Sequence, residues 1–73
     1  MNMNADQTKI LTYLRDKIRQ GKRYFKARQI GEDLGLSSRT VGADMARLAT
    51  FCKDLRITRW AYSNSTTWLV TKC

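Results

Sequence analysis

Apolar residues recur in the first third of the chain at Ile10, Leu11, Leu14 and Ile18, which fall within about 100° of helical arc with Gln7 beside them. That spacing predicts one amphipathic helix over residues 5–20. Asn4 can cap its start with Gln7 three residues later, and Gly21 offers a left-handed stop after a last turn that carries Lys17 and Arg19. The residues KRYFK that follow suit a short strand over 23–26 or an extended connector, with Phe25 as the inward side chain. A second, short helix is predicted over 27–34, where Ala27, Ile30, Gly31 and Leu34 line one side and Arg28, Gln29, Glu32 and Asp33 the other. Gly35 breaks it, and Leu36 returns to the core.

Ser37 or Ser38 can accept the free amide hydrogens of a third helix, predicted over 38–52. In it Val41, Met45, Leu48, Ala49 and Cys52 form the apolar stripe, which puts Arg39, Ala43, Arg47 and Thr50 on the far side. Helix, glycine turn and helix at this spacing make the helix-turn-helix pattern. Beyond Asp54 the period changes. LRITRWAYS and TTWLVTK are rich in β-branched and aromatic residues, and Ser63, Asn64 and Ser65 between them carry turn chemistry, so residues 55–72 read as a two-stranded hairpin. Leu55 and Ile57 share one phase while Trp60 and Tyr62 share the other, which calls for a β-bulge or a strand that starts after Leu55. The pattern leaves open which tryptophan is fully buried. The whole is an α+β fold, a single domain over residues 1–73.

Charge narrows the function. Fourteen Lys and Arg against six acids give net charge +8 over 73 residues. Between Lys9 and Arg28 stand eight basic residues and one acid, Asp16, and a polyanion is the natural partner of such a surface. Other classes lose support. The chain contains no histidine and only two cysteines, Cys52 and Cys73, which fit reduced thiols, one in the core and one exposed. No metal site, cofactor, clustered carboxylate pair or glycine-rich phosphate loop is expected, and so no enzyme activity. No apolar run approaches the roughly 18 residues of a membrane span, and MNMNADQTK lacks the apolar core of a signal peptide. A cytoplasmic protein is expected.

The order helix, short strand, helix, helix, hairpin resembles the winged helix-turn-helix family across nearly the whole chain, and IGEDLGLSSRTVGADMARL resembles its second and third helices. YFKAR, DLGLS and WAYSNSTTW are also similar to segments of small, functionally uncharacterised archaeal winged-helix proteins. The resemblance implies duplex DNA as partner, with the third helix in the major groove and the hairpin, or wing, against the backbone. Carried over by position, it makes Ser38, Arg39, Thr40, Ala43 and Arg47 groove-facing, sets Ser37 near a phosphate, and places Ser63, Asn64 and Ser65 at the wing tip flanked by Arg59. Lys22, Arg23, Lys26 and Arg28 would then meet the DNA backbone. Because the wing tip carries neutral residues where many such wings carry Arg or Lys, phosphate hydrogen bonds are expected there.

The function expected is that of a transcriptional regulator or a small chromosome-associated, nucleoid-bound protein, monomeric or weakly dimeric. A protein-interaction module or an RNA-binding subunit is the alternative. Trp60, Tyr62 and Trp68 can be read either as the packing face of the hairpin or as a stacking platform for unpaired bases. Arg59 beside Trp60 suggests a cation-π pair.

Overall fold

The computed structural model describes residues 4–51, 54–61 and 67–72. It consists of α1 (Ala5–Arg19), β1 (Tyr24–Lys26), α2 (Ala27–Leu34), α3 (Ser38–Phe51), β2 (Leu55–Ala61) and β3 (Thr67–Lys72). The helices start and stop where local chemistry directs. At the start of α1 the Asn4 side chain accepts from the Gln7 amide at 2.8 Å, and the Gln7 side chain accepts from the Asn4 amide at 3.2 Å, a reciprocal capping box. At its end Gly21 adopts φ 97°, the Lys22 amide donates to the Lys17 carbonyl at 3.0 Å and the Gly21 amide to Ile18 at 2.9 Å. That is a Schellman closure, and it frees the chain to turn into β1.

The strands differ from the expected hairpin. They form a three-stranded antiparallel sheet in the order β1-β3-β2, so the short strand before α2 joins the C-terminal pair. β3 has two edges. One pairs with β2 from Leu55↔Lys72 to Ala61↔Thr67, and the other takes up Tyr24↔Leu69, Phe25↔Trp68 and Lys26↔Thr67. The Val70 amide extends this second ladder to the Arg23 carbonyl at 2.8 Å. Pairing β3 on both sides satisfies backbone groups that a two-stranded ribbon would leave open. The register shifts between Arg59 and Ala61, a bulge with Trp60 as the extra residue. β2 nevertheless starts at Leu55, so of the two expectations the bulge holds and the late start does not.

One face of the sheet carries the core. Phe25, Leu55, Ile57, Trp68 and Val70 meet Ile10, Leu11 and Leu14 of α1, Ile30 of α2, and Val41, Met45 and Leu48 of α3. Trp68, in the central strand opposite Phe25, is the buried tryptophan, while Trp60, in the bulge of an edge strand, is exposed. The indole Nε1 of Trp68 has no hydrogen-bond partner among the described residues. The stripe of α3 also differs from expectation. Ala49 is exposed, and the buried position is taken by Asp44, whose carboxylate accepts from the Gln7 side-chain amide at 3.2 Å. At about 100° per residue Asp44 lies some 60° from Val41 on one side and Ala49 about 80° on the other, so both border the arc of Met45 and Leu48, and Gln7 of α1 packs on the Asp44 side. Cys52, expected in the core, lies outside the described residues, as do Tyr62 and Cys73.

Candidate nucleic-acid interface

The third helix begins at a side-chain cap. Ser37 Oγ accepts from the Thr40 amide at 3.1 Å and donates to Thr40 Oγ1 at 2.9 Å, which resolves the two candidate caps in favour of Ser37. The turn before it depends on two glycines. Gly35 takes the left-handed conformation with φ 72°, and the Leu36 amide donates to the Gly31 carbonyl at 2.8 Å. Gly31 is needed for a different reason: a Cβ there would overlap the Leu36 carbonyl oxygen. These contacts fix the angle at which α3 leaves α2, and hence the direction in which its free face points.

That face consists of exposed Arg39, Ala43, Ala46, Arg47 and Thr50, with exposed Ser38 and half-buried Thr40 at its start. It brings together the expected α3 residues. Thr50 turns its hydroxyl to its own helix, donating to the Ala46 carbonyl at 3.1 Å. Neither Arg39 nor Arg47 has an ion-pair partner among the described residues. The only acid in α3 is Asp44, and it is buried against Gln7, so the exposed face carries no carboxylate. A helix face that is short in side chain and positive at both ends is open to an anionic groove.

The second group of expected residues surrounds the start of α2. Lys22, Arg23, Lys26 and Arg28 are all exposed. Lys22 places its ammonium 5.2 Å from the centre of the Phe25 ring, and Arg28 Nε approaches Glu32 Oε1 at 3.6 Å across one helical turn. Such an exposed pair holds its partners weakly. Lys26 closes β1 and occupies the N-cap of α2, where it makes no side-chain cap hydrogen bond. The first amides of α2 therefore have no side-chain cap, and two cations stand beside them.

Arg59 is exposed, and it makes a cation-π contact with Trp68 across the sheet, at 4.9 Å from guanidinium carbon to ring centre. Directly opposed residues in an antiparallel pair share a face, and Arg59 opposes Trp68. Ser63, Asn64 and Ser65 lie outside the described residues.

Tyr13 and Asp33 couple α1 to α2. The Tyr13 hydroxyl donates to Asp33 Oδ2 at 2.5 Å, while Gln29 donates to Oδ1 at 3.0 Å. Burial, with the hydrogen bond and charge of Asp33 behind it, pushes the Tyr13 hydroxyl up to about 12. The Tyr13 hydrogen bond, helped by Gln29 and by Lys17 and Lys22, holds the Asp33 carboxyl below its ordinary value. Two surface recesses flank α1. One, of about 380 Å³, is bordered by Arg15, Ile18, Arg19, Asp54, Leu55 and Lys72, and Arg15 and Asp54 are ion-paired at its rim. The other is bordered by Tyr13, Lys9 and Arg19 among others. Among the described residues no cluster of three or more His, Cys, Asp or Glu could hold a metal, and no helix is long and apolar enough to cross a membrane.

Residues 1–72 match the family described as "Domain of unknown function (DUF7123)". The chain belongs to that family. No curated protein and no solved structure matches it. Family membership thus extends over the α1–β3 unit just described and assigns it no activity.

Reading the sequence for helix faces missed two features. Asp44 borders the apolar arc of α3, and the packing of Gln7 from α1 against it decides that it is buried. Arg56 and Tyr24 share the outer face of the sheet with Trp60, and that face could not be composed until β1 was known to pair with β3.

Proposed function

We propose that this protein is a winged-helix protein that binds duplex DNA, with α3 in the major groove and phosphate contacts from the basic residues around α2. The element order, with α2 and α3 joined by a tight turn and followed by two paired strands, supports the winged-helix reading. One observation carries the DNA reading: the exposed face of α3 has Arg39 and Arg47 at either end and no acid, because its single carboxylate, Asp44, is turned inward to Gln7. A carboxylate on that face would repel phosphates, and its removal to the core leaves a positive, lightly furnished surface.

The division of labour follows from position. Arg39 and Arg47 can meet guanine edges or phosphates, and Ala43 and Ala46 let the backbone approach the groove floor. The uncapped start of α2, with Lys26 and Arg28, suits a phosphate of the DNA backbone. The protein would act as a binder, not a catalyst, as a transcriptional regulator or a nucleoid-associated protein of the cytoplasm.

Fluorescence anisotropy with a labelled mixed-sequence duplex tests this. Arg47→Ala should cost about 1 to 3 kcal/mol on a preferred sequence if it reads a base, and should weaken all sequences alike if it meets phosphate. Arg39→Ala and Arg47→Ala variants that bind every duplex as the wild type does would overturn the reading.

A further inference from the structure

The outer face of the sheet, turned away from the helices, carries a pair of aromatic rings that duplex binding does not use. Tyr24 and Trp60 are 51% and 59% exposed, and they are the large exposed hydrophobic residues of the described chain. Their ring centres stand 5.7 Å apart at 68°, edge to face, from the two edge strands across the central one. Half-buried Leu69, the pairing partner of Tyr24 in β3, shares this face. Lys26 and Arg56 alternate onto the same face, both exposed, and no acidic residue of β1, β2 or β3 does. The bulge at Trp60 contributes to this exposure, since an extra residue at an edge re-aims the side chain it carries.

We infer that this face is a second nucleic-acid surface, on which Tyr24 and Trp60 stack unpaired bases of single-stranded DNA while Lys26 and Arg56 hold the flanking phosphates. An edge-to-face pair leaves ring surface open, and both residues are more than half exposed, so the pair offers ring faces to a base. Cations on both sides of exposed rings, with no acid among them, match a polymer that alternates flat bases with phosphates. They do not match an apolar protein patch, which would need more aliphatic surface than Leu69 supplies. Bases paired inside a duplex present edges and no faces, so the occupant is an unpaired strand. The choice of DNA as polymer rests on the preceding reading; the platform of rings and cations does not.

The test is binding of a labelled twelve-nucleotide oligothymidylate at low salt, followed by anisotropy, with intrinsic tryptophan emission recorded alongside. Trp60 is the exposed tryptophan and Trp68 the buried one, so stacking should quench the wild-type emission. Trp60→Ala and Tyr24→Ala should each weaken oligothymidylate binding about tenfold or more. Trp60→Phe, which keeps a ring, should retain most of it, and all three should bind duplex as the wild type does. Thermal unfolding of the variants checks that they fold, which the exposure of both positions favours.

Oligothymidylate binding unchanged in Trp60→Ala and Tyr24→Ala would overturn the inference. So would ring-dependent binding of oligouridylate at least tenfold tighter than of oligothymidylate, which would make this an RNA site. A homodimer that sediments as a monomer only after Trp60→Ala, with no ring-dependent oligonucleotide binding, would assign the face to a second copy of the chain and overturn it too. Ring-dependent oligothymidylate binding in a protein that binds no duplex would sustain this inference while removing the reading of α3.

Discussion

Gly31 and Gly42 lie on adjacent helices, and a Cβ has opposite consequences at the two. At Gly31 it would collide with the backbone carbonyl of Leu36, which cannot rotate away without disturbing the turn into α3. At Gly42 no atom lies within 4 Å of the added carbon. Gly31→Ala should therefore destabilise by more than about 1 kcal/mol despite the better helix propensity of alanine. Gly42→Ala should stabilise by about 0.5 to 1 kcal/mol, raising the melting temperature by roughly 2 to 8 °C. Thermal denaturation of the two variants reads both signs, and a stabilising Gly31→Ala would mean that the turn relaxes freely. If Gly42→Ala also weakens duplex binding while raising stability, then the glycine serves close approach to the groove. The Tyr13–Asp33 bond gives a second expectation at this scale. The Tyr13 hydroxyl loses its proton at a higher pH in the folded chain than in the unfolded one, so its contribution is fully present below pH 10 and is lost as pH rises towards about 12. Asp33, depressed by the same bond, contributes above the ordinary carboxylate range and loses that contribution as pH falls below it. Denaturant unfolding against pH should show both losses, and Tyr13→Phe should flatten the alkaline one.

At the scale of elements, the capping box of α1 and the buried Gln7–Asp44 contact share a residue. Gln7 accepts from the Asn4 amide through its side-chain oxygen and donates to Asp44 through its nitrogen, so one side chain fixes the start of α1 and ties it to α3. Asp44→Ala should cost about 1 to 3 kcal/mol, because the Gln7 amide then loses its buried acceptor, whereas Asp44→Asn keeps an acceptor and should cost less. Equal loss in both variants, read from urea midpoints, would show that the carboxylate charge matters and not its acceptor. The same contact explains what could be read from the sequence. The helices were legible because Asn4, Gly21, Gly35 and Ser37 announce their ends in local chemistry. Strand order was not, since the three residues of β1 carry no period and their partner lies far along the chain. The α3 face was legible as Arg39, Ala43 and Arg47. Asp44 and Ala49 border the apolar arc at similar angles on opposite sides, and which of them is buried depends on Gln7 of α1, a contact that the spacing within α3 does not show. Trp60 and Trp68 could be told apart only once β3 was central and β2 an edge.

For the whole molecule, a net charge of +8 on 73 residues makes salt act in two directions at once. Folding brings like charges together, and the Arg15–Asp54 and Arg28–Glu32 pairs are both on the surface, where ion pairs contribute little. Screening should therefore relieve more repulsion than attraction, and the melting temperature should rise as salt is added. Duplex binding should move the other way. If about five phosphates are neutralised, the log-log slope is about −4.5, and affinity falls about 500-fold between 50 and 200 mM salt. The two trends measured on one preparation separate explanations that either alone would confuse. Falling affinity in a chain that is becoming more stable cannot come from unfolding, so it must come from counterions released at the interface. Affinity that holds steady while stability rises would mean that the positive surface only repels itself, and that α3 and the basic cluster around α2 do not meet phosphate.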